Sequence, residues 1–331
     1  MVRNIRWGIL GCGRIARKFA SDLRLVQDAE LVALGSRNRE TAEAFAKDFP
    51  AKYIHESYEA LVTNNEVDVI YIATPHNFHY EQTMLCLQHG KAVLCEKPFA
   101  VNAKQSKAMI VLAREKNIFL MEALWSKFLP HYNKLQQMIK EGKVGTIKSV
   151  LIQFGFKPVA PIPPRMFDPA LAGGTMLDIG IYNVFFALSV LGKPNEIIAV
   201  MTPAPTGIDE QCAVTFRYNN GAIAQLFSSF SSNLATEAHI SGTEGRILLV
   251  HRFYAPDTTI EYYTEKMESR EIIPVEKEGG WGYQYQIRHV CECLRNGLTE
   301  SPIMSFADTL LLIETLDAIR QKAGIRYDAD A

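Results

Sequence analysis

Two periods alternate along the first third of the chain. Arg6–Leu10 is a short apolar run that stops at Gly11-Cys12-Gly13, and Ile15, Phe19 and Leu23 then recur at helical spacing through Ile15–Leu25. Val67–Ala73 is an unbroken run rich in β-branched residues, the pattern of a strand buried on both faces. Further strands are expected at Leu31–Gly35, Ala92–Cys95 and Ile118–Met121, and further helices at Thr41–Phe49, Tyr58–Val62, His79–His89 and Ala103–Lys116. Strands alternating with helices predict right-handed βαβ units on a doubly wound parallel sheet.

The period changes near Leu124. After a helix at Pro130–Glu141, strand patterns dominate: Ile147–Phe156, Glu196–Thr202, Cys212–Tyr218, Ala222–Ser228, Ala238–Ser241, Arg246–Val250, Thr259–Tyr263 and Ile272–Val275. Asn219-Asn220-Gly221 reads as a hairpin turn. Helical spacing returns at Ile181–Leu191, Tyr283–Leu294 and Phe306–Ala323. The expected architecture is therefore an α/β domain over residues 1–124, followed by an α+β domain over residues 125–331 built on a large, mostly antiparallel sheet. Helices on one side of such a sheet leave its other face bare, which favours a homodimer through that face.

Composition narrows the function. With 331 residues the chain is long enough for two domains with real cores. Its 35 Lys+Arg against 36 Asp+Glu leave a formal charge of −1, which argues against a general nucleic-acid binder. No uninterrupted apolar run reaches the ~18–20 residues of a membrane span. The segment from Arg3 to Trp7 passes into a strand pattern with no separate apolar stretch and cleavage site, so a cytoplasmic protein is expected. The cysteines are scattered and form no C-x-x-C pair, which reads as reduced thiols.

Gly11-x-Gly13-x-x-Ala16 follows the first strand and opens the first helix. Gly11 permits the tight turn, and Gly13 lets a pyrophosphate approach the backbone. Ala16 keeps helix and strand close, and the helix N-terminus, with Arg14 and Ile15, offers free N–H groups to the phosphates. The second strand ends in Gly35-Ser36-Arg37-Asn38-Arg39, without the carboxylate that would bind a ribose 2′-hydroxyl. Ser36 and the planar fork of Arg37 suit a 2′-phosphate, with Arg39 assisting. The cofactor reads as NADP(H), with NAD(H) second. Thr74, Pro75, Asn77 and His79 follow the buried strand Val67–Ala73, where ligands of open α/β sheets lie. Glu96-Lys97-Pro98 follows Ala92–Cys95 in the same way, with Glu96 placed to orient Lys97. His76-x-x-His79 invites a metal, but no carboxylate or thiol stands at ligand spacing nearby, and no metal is expected.

Glu96-Lys97-Pro98 after a dinucleotide fingerprint, together with Gly173-Gly174-Thr175-Met176-Leu177-Asp178-Ile179-Gly180-Ile181-Tyr182, resembles the family of glucose–fructose oxidoreductase and myo-inositol dehydrogenase (Gfo/Idh/MocA). Thr175 stands where the pattern has a third glycine, and Tyr182 where it commonly has histidine. That tyrosine, and Met121–Phe128, resemble the branch containing dimeric dihydrodiol dehydrogenase. The resemblance implies a Rossmann domain, dimers or tetramers, and oxidation of a sugar, polyol or cyclic diol. It also implies that Lys97 binds the substrate hydroxyl. A free tyrosine titrates near ~10, too high for easy work at neutral pH, and a nearby ammonium favours its phenolate. Tyr182 and Lys97 thus read as an acid/base pair.

Asp178 lies four residues before Tyr182 on one helix face. It reads as an acceptor for a substrate hydroxyl, a support for Lys97, or a helix cap. Trp125 and Phe128 read as a substrate-facing aromatic wall or as core. Arg165, Phe167 and Asp168 sit in the proline-rich stretch Pro158–Pro169, where they can close over a substrate. Two alternatives keep the fold: a dinucleotide-binding regulator without turnover, and a reductase of a non-sugar substrate such as a bile pigment. The joint presence of Lys97 and Tyr182 favours the enzyme of hydroxyl-bearing carbons.

Overall fold

A computed structural model describes residues 3–264 and 269–330. In chain order its elements are β1 (Ile5–Leu10), α1 (Arg14–Leu23), β2 (Ala29–Gly35), α2 (Arg39–Asp48), β3 (Tyr53–His55), α3 (Tyr58–Val62), β4 (Val69–Ile72), α4 (His79–Gln88), β5 (Ala92–Glu96), α5 (Ala103–Lys116) and β6 (Leu120–Ala123). There follow α6 (Pro130–Lys140), β7 (Ile147–Gly155), α7 (Ile181–Leu191), β8 (Glu196–Pro203), β9 (Asp209–Arg217), β10 (Ile223–Ser229), β11 (Ala238–Gly242), β12 (Gly245–Val250), β13 (Thr259–Thr264) and β14 (Arg270–Ile273). Two helices, α8 (Tyr283–Arg295) and α9 (Phe306–Ala323), complete the list.

The chain divides into two units. The first takes the described residues up to Phe128 together with Glu278–Leu310, and the second takes Leu129–Lys277 with the residues from Leu311 onward. A cut after Leu124 therefore divides the chain but not the space, because the segment Glu278–Leu310 returns to the first unit. Asp22 on α1 explains the return. Its fully buried carboxylate accepts the backbone N–H groups of Trp281 at 2.9 Å and Tyr283 at 2.7 Å, so α1 supplies the cap that α8 lacks in its own sequence.

The first unit holds a six-stranded sheet in the order β3-β2-β1-β4-β5-β6, parallel throughout. Strand order reverses between β1 and β4, so the loops after these strands flank the crevice where doubly wound sheets bind ligands. The second unit holds an eight-stranded sheet, β14-β13-β12-β11-β7-β10-β9-β8. Only its β7–β10 pair is parallel. The turn Asn219–Gly221 joins β9 to β10, with Gly221 at φ +82°. Helix α7 packs on β7 and β10. By length and composition Pro169–Leu191 reaches the range of a membrane span, but 78% of its most apolar 18-residue window is buried within the protein, which makes it core.

Candidate active site

In the first unit the fingerprint is built as the sequence reading expects. Gly11 has φ +95°, and a Cβ there would lie 2.8 Å from the Thr74 side chain, so only glycine fits. Gly13 precedes α1, and a Cβ there would meet nothing closer than the Ala73 carbonyl oxygen at 4.0 Å. Its bare backbone leaves room for a phosphate beside the N–H groups of α1, where Arg14 is exposed and Ile15 half-buried. In the short turn after β4, the buried Asn77 Oδ1 has no partner within the protein. An open glycine turn after β1 and an unpaired amide oxygen after β4, the two strands at which the order reverses, fit a dinucleotide.

The ribose end is simpler than the sequence suggests. The Ser36 hydroxyl accepts the Asn38 N–H at 3.2 Å, closing its own turn. The exposed Arg37 guanidinium lies over the rings of Phe78 and Tyr58, 5.1 and 5.9 Å from their centroids. Arg39 lies on exposed surface with Glu43 at 2.7 Å and Glu56 at 2.6 Å, pairs that water screens.

Lys97 follows the carboxyl end of β5, and the Lys97–Pro98 peptide is cis. Glu96 is buried; it accepts from the Tyr71 hydroxyl, and its Oε2 takes the Lys97 backbone N–H at 3.2 Å. Its carboxylate thus braces the turn that carries Lys97. His79 is corrected. It has no exposed surface, and its ring nitrogens meet the Pro98 and Thr74 carbonyl oxygens at 2.8 and 2.9 Å. It ties the loop after β4 to the turn after β5 and presents no nitrogen to a ligand. The Thr74 hydroxyl donates to Gln82 at 2.6 Å, and Pro75 leads into the short turn His76–Phe78.

In the second unit the helix expected at Ile181 begins earlier. A π-helical turn, Met176–Gly180, runs straight into α7. Asp178 is therefore inside a helix, not its cap. Its Oδ2 lies 3.3 Å from Arg165 Nη1, so one residue of the proline-rich loop does reach the motif. Phe167 instead packs edge-on to Phe230 at 5.6 Å, and Asp168 caps the turn at Ala170. Tyr182 is 6% exposed, with Tyr254 and Phe154 rings 4.7 and 6.1 Å away.

Residues 5–124 match the model of an oxidoreductase family with an NAD-binding Rossmann fold, and residues 132–248 match the Gfo/Idh/MocA C-terminal domain. The chain belongs to the Gfo/Idh/MocA oxidoreductases. The mouse (Mus musculus) trans-1,2-dihydrobenzene-1,2-diol dehydrogenase is 37% identical over 332 residues, spanning 98% of this chain and 99% of that protein. The human (Homo sapiens) protein of the same name is 35% identical over 336 residues, with the same shares covered. A 3-ketoreductase from Actinomadura kijaniata, solved with NADP and TDP-benzene, superposes with a TM-score of 0.88 at 26% identity, covering 97% of this chain and 98% of its own.

Within this Gfo/Idh/MocA chain, several side chains escape sequence reasoning. Glu122 on β6 is 3% exposed, accepts the Phe99 N–H at 3.1 Å just past the Lys97–Pro98 turn, and is pushed up to about 7 by burial. Asp209 is fully buried and pushed up to about 6 for the same reason. A carboxylate in an otherwise apolar strand, as in Leu120-Met121-Glu122-Ala123, is the one signal that points to Glu122. Trp125 and Phe128 are both under a tenth exposed, Trp125 stacked on Tyr283 at 4.8 Å and Phe128 beside His289 at 5.1 Å, so in the first unit they are core. Among the described residues no group of three or more metal-ligating side chains comes together.

Proposed function

We propose that the protein is an NADP(H)-dependent dehydrogenase of a cyclic diol, polyol or sugar, with Tyr182 as the acid/base and Lys97 as its assistant. The observation that carries the reading is Tyr182 four residues after Asp178 on one continuous helix, in a chain whose Lys97 follows a carboxyl end of the nucleotide-binding sheet. The full-length relatives named as dihydrodiol dehydrogenases support the substrate class. Gly11, Gly13, Arg14, Ile15, Arg37 and Asn77 would hold the dinucleotide, which supplies the hydride acceptor or donor when bound.

Tyr182 takes the hydroxyl proton during oxidation and returns it during reduction. The Lys97 ammonium favours the phenolate and holds the reacting hydroxyl. Asp178, steadied by Arg165, accepts a hydrogen bond from the neighbouring hydroxyl, which orients the carbon that reacts. Arg37 reads a 2′-phosphate, and Arg39, paired on the surface with Glu43 and Glu56, gives less help. The proposal places the reaction in the cytoplasm, in keeping with six unpaired, buried cysteines.

The test is reduced-nicotinamide absorbance with NADP⁺ and NAD⁺ across trans-dihydrodiols, polyols and aldoses. Lys97→Ala and Tyr182→Phe should each lower kcat by about 10²–10⁴-fold, the usual worth of a general acid/base. Arg37→Ala should weaken NADP(H) about tenfold or more while sparing NAD(H), the loss expected for a hydrogen bond to a charged group. Tight dinucleotide binding without turnover on any of these alcohols would sink the dehydrogenase of this substrate class and leave the regulator or a reductase of another substrate.

A further inference from the structure

The helix that carries Asp178 and Tyr182 starts against a buried carboxylate that the reaction does not use. Asp209, the first residue of β9, has no exposed surface. Its Oδ2 accepts the Thr175 hydroxyl at 2.7 Å and the Met176 backbone N–H at 2.6 Å. The Thr175 oxygen in turn accepts the Ser228 hydroxyl from β10 at 3.2 Å. The first N–H groups of a helix have no partner within it, and a carboxylate there is favoured by the helix dipole as well. Most helices take this cap from the residue just before them. Here it comes from a strand 34 residues further on.

The glycine pair of the motif is shaped around this contact. Gly174 has φ +101°, and a Cβ there would lie 2.2 Å from Asp209 Oδ1 and 2.8 Å from the Ile208 side chain. Gly174 is therefore glycine both for its backbone and to admit the carboxylate. Gly173 is held from the other side, its carbonyl accepting the Tyr327 hydroxyl at 2.6 Å. Thr175, which stands in place of a third glycine, contributes the hydroxyl that a glycine could not. Between this anchor and Tyr182 lies the π-helical turn Met176–Gly180, a widened turn that occurs mostly singly and often at functional sites.

We propose that Asp209 is a positioning residue: through Thr175 and Met176 it sets the height and rotation of the helix start, and with them the places of Asp178 and Tyr182. This rests on the reading of Tyr182 as the acid/base. An acid/base group works only near its productive geometry, and a shift of about 1 Å costs about 10²-fold. Asparagine at this position keeps one oxygen able to accept both bonds, and its NH₂ would occupy the side where Oδ1 has no partner. Alanine keeps neither.

The experiment compares Asp209→Ala, Asp209→Asn, Thr175→Ala and the double variant Thr175→Ala/Asp209→Ala in the full chain. It measures kcat, KM and NADP(H) affinity, and hydrogen exchange of the Met176 amide. Asp209→Ala should lower kcat and kcat/KM about 10–100-fold, because Asp178 and Tyr182 move together, with NADP(H) affinity unchanged, and should deprotect the Met176 amide. Asp209→Asn should restore both. Thr175→Ala should move kcat the same way by less, and the double variant should be no worse than Asp209→Ala, because both remove one shared bond. If Asp209→Ala does not fold, Thr175→Ala against the parent carries the comparison. Unchanged kcat with a deprotected amide, or an unchanged amide, overturns the positioning role. If the parent turns over no alcohol but the amide still deprotects only when the acceptor is lost, the anchor stands and the reading of Tyr182 falls.

Discussion

At the residue scale, the buried carboxyls set how stability follows pH. Burial is the leading cause that raises Glu122 to about 7 and Asp209 to about 6, above the ~4 of an unfolded chain. Between these values the folded protein holds protons that the unfolded chain has released, so the share of these two groups falls as pH rises from about 4 through about 7, while that of the buried His79 and His131, which burial lowers, rises towards the ~6.5 of an unfolded histidine. Each group contributes up to about 1.4 kcal/mol per pH unit over its window. The urea midpoint of Glu122→Gln should therefore gain on that of the parent as pH rises from about 5 to about 8, because only the parent must ionise a buried carboxyl there. A difference between the two that stays constant over that interval would remove the argument. Neither carboxyl was legible in the sequence as a brace. Glu122 looks like an oddity in an apolar strand, and only its contact with the Phe99 N–H gives it a purpose. Gly11 and Gly13 were legible because their partners are local: a turn and a helix start. Arg39 shows the opposite case, since Glu43 is one helical turn away but Glu56 arrives from beyond β3. His79 was read from its place after a strand, and its depth, which sequence does not encode, reverses its role.

At the element scale, periodicity located nearly every helix and strand, because each buries one face or two. It failed where the local signal contradicts the contact. Gly173, Gly174 and Gly180 all argue against a helix, so the start before Ile181 went unread; an acceptor from β9 overrides them. Strand β3 is three residues long, too short to show alternation. Helix α8 is the same physics as α7 in the first unit: Gly282 precedes it and gives no side-chain cap, and Asp22 reaches across from α1 instead. Asp22→Ala should leave the buried Tyr283 N–H and the part-buried Trp281 N–H without their acceptor, costing about 2 kcal/mol. Urea unfolding followed by far-UV circular dichroism measures it. A variant as stable as the parent would mean that α8 holds its place by packing alone, through contacts such as Trp125 on Tyr283.

At the scale of the whole molecule, the eight-stranded sheet makes the last prediction. Register places Leu151, Gln225, Thr215 and Ile198 in one row across β7, β10, β9 and β8, and Gln153, Phe227, Ala213 and Val200 in the next. Helix α7 packs on β7 and β10, yet Leu151 is 46% exposed and Val200 63%, so these rows belong to the face it leaves open. Charges gather at the margins of that face: Arg270 with Glu261 at 3.2 Å on one side, Arg217 with Glu196 at 2.7 Å on the other. Apolar side chains such as Leu151 and Val200 among polar ones such as Gln225 and the His239–Glu237 pair, inside a charged rim, match the make-up of a protein interface. Eight strands spread it over roughly 35–40 Å, wide enough for a standard contact. We propose that a second copy covers it about a two-fold axis, as a self-complementary surface allows. Light scattering at micromolar protein should then give twice the chain mass. Leu151→Arg combined with Val200→Arg would bury two unpaired charges in the contact, so that variant should be monomeric while its NADP(H) affinity, which belongs to the other unit, stays unchanged. A monomeric parent rules the dimer out, and a dimeric double variant rules out this face.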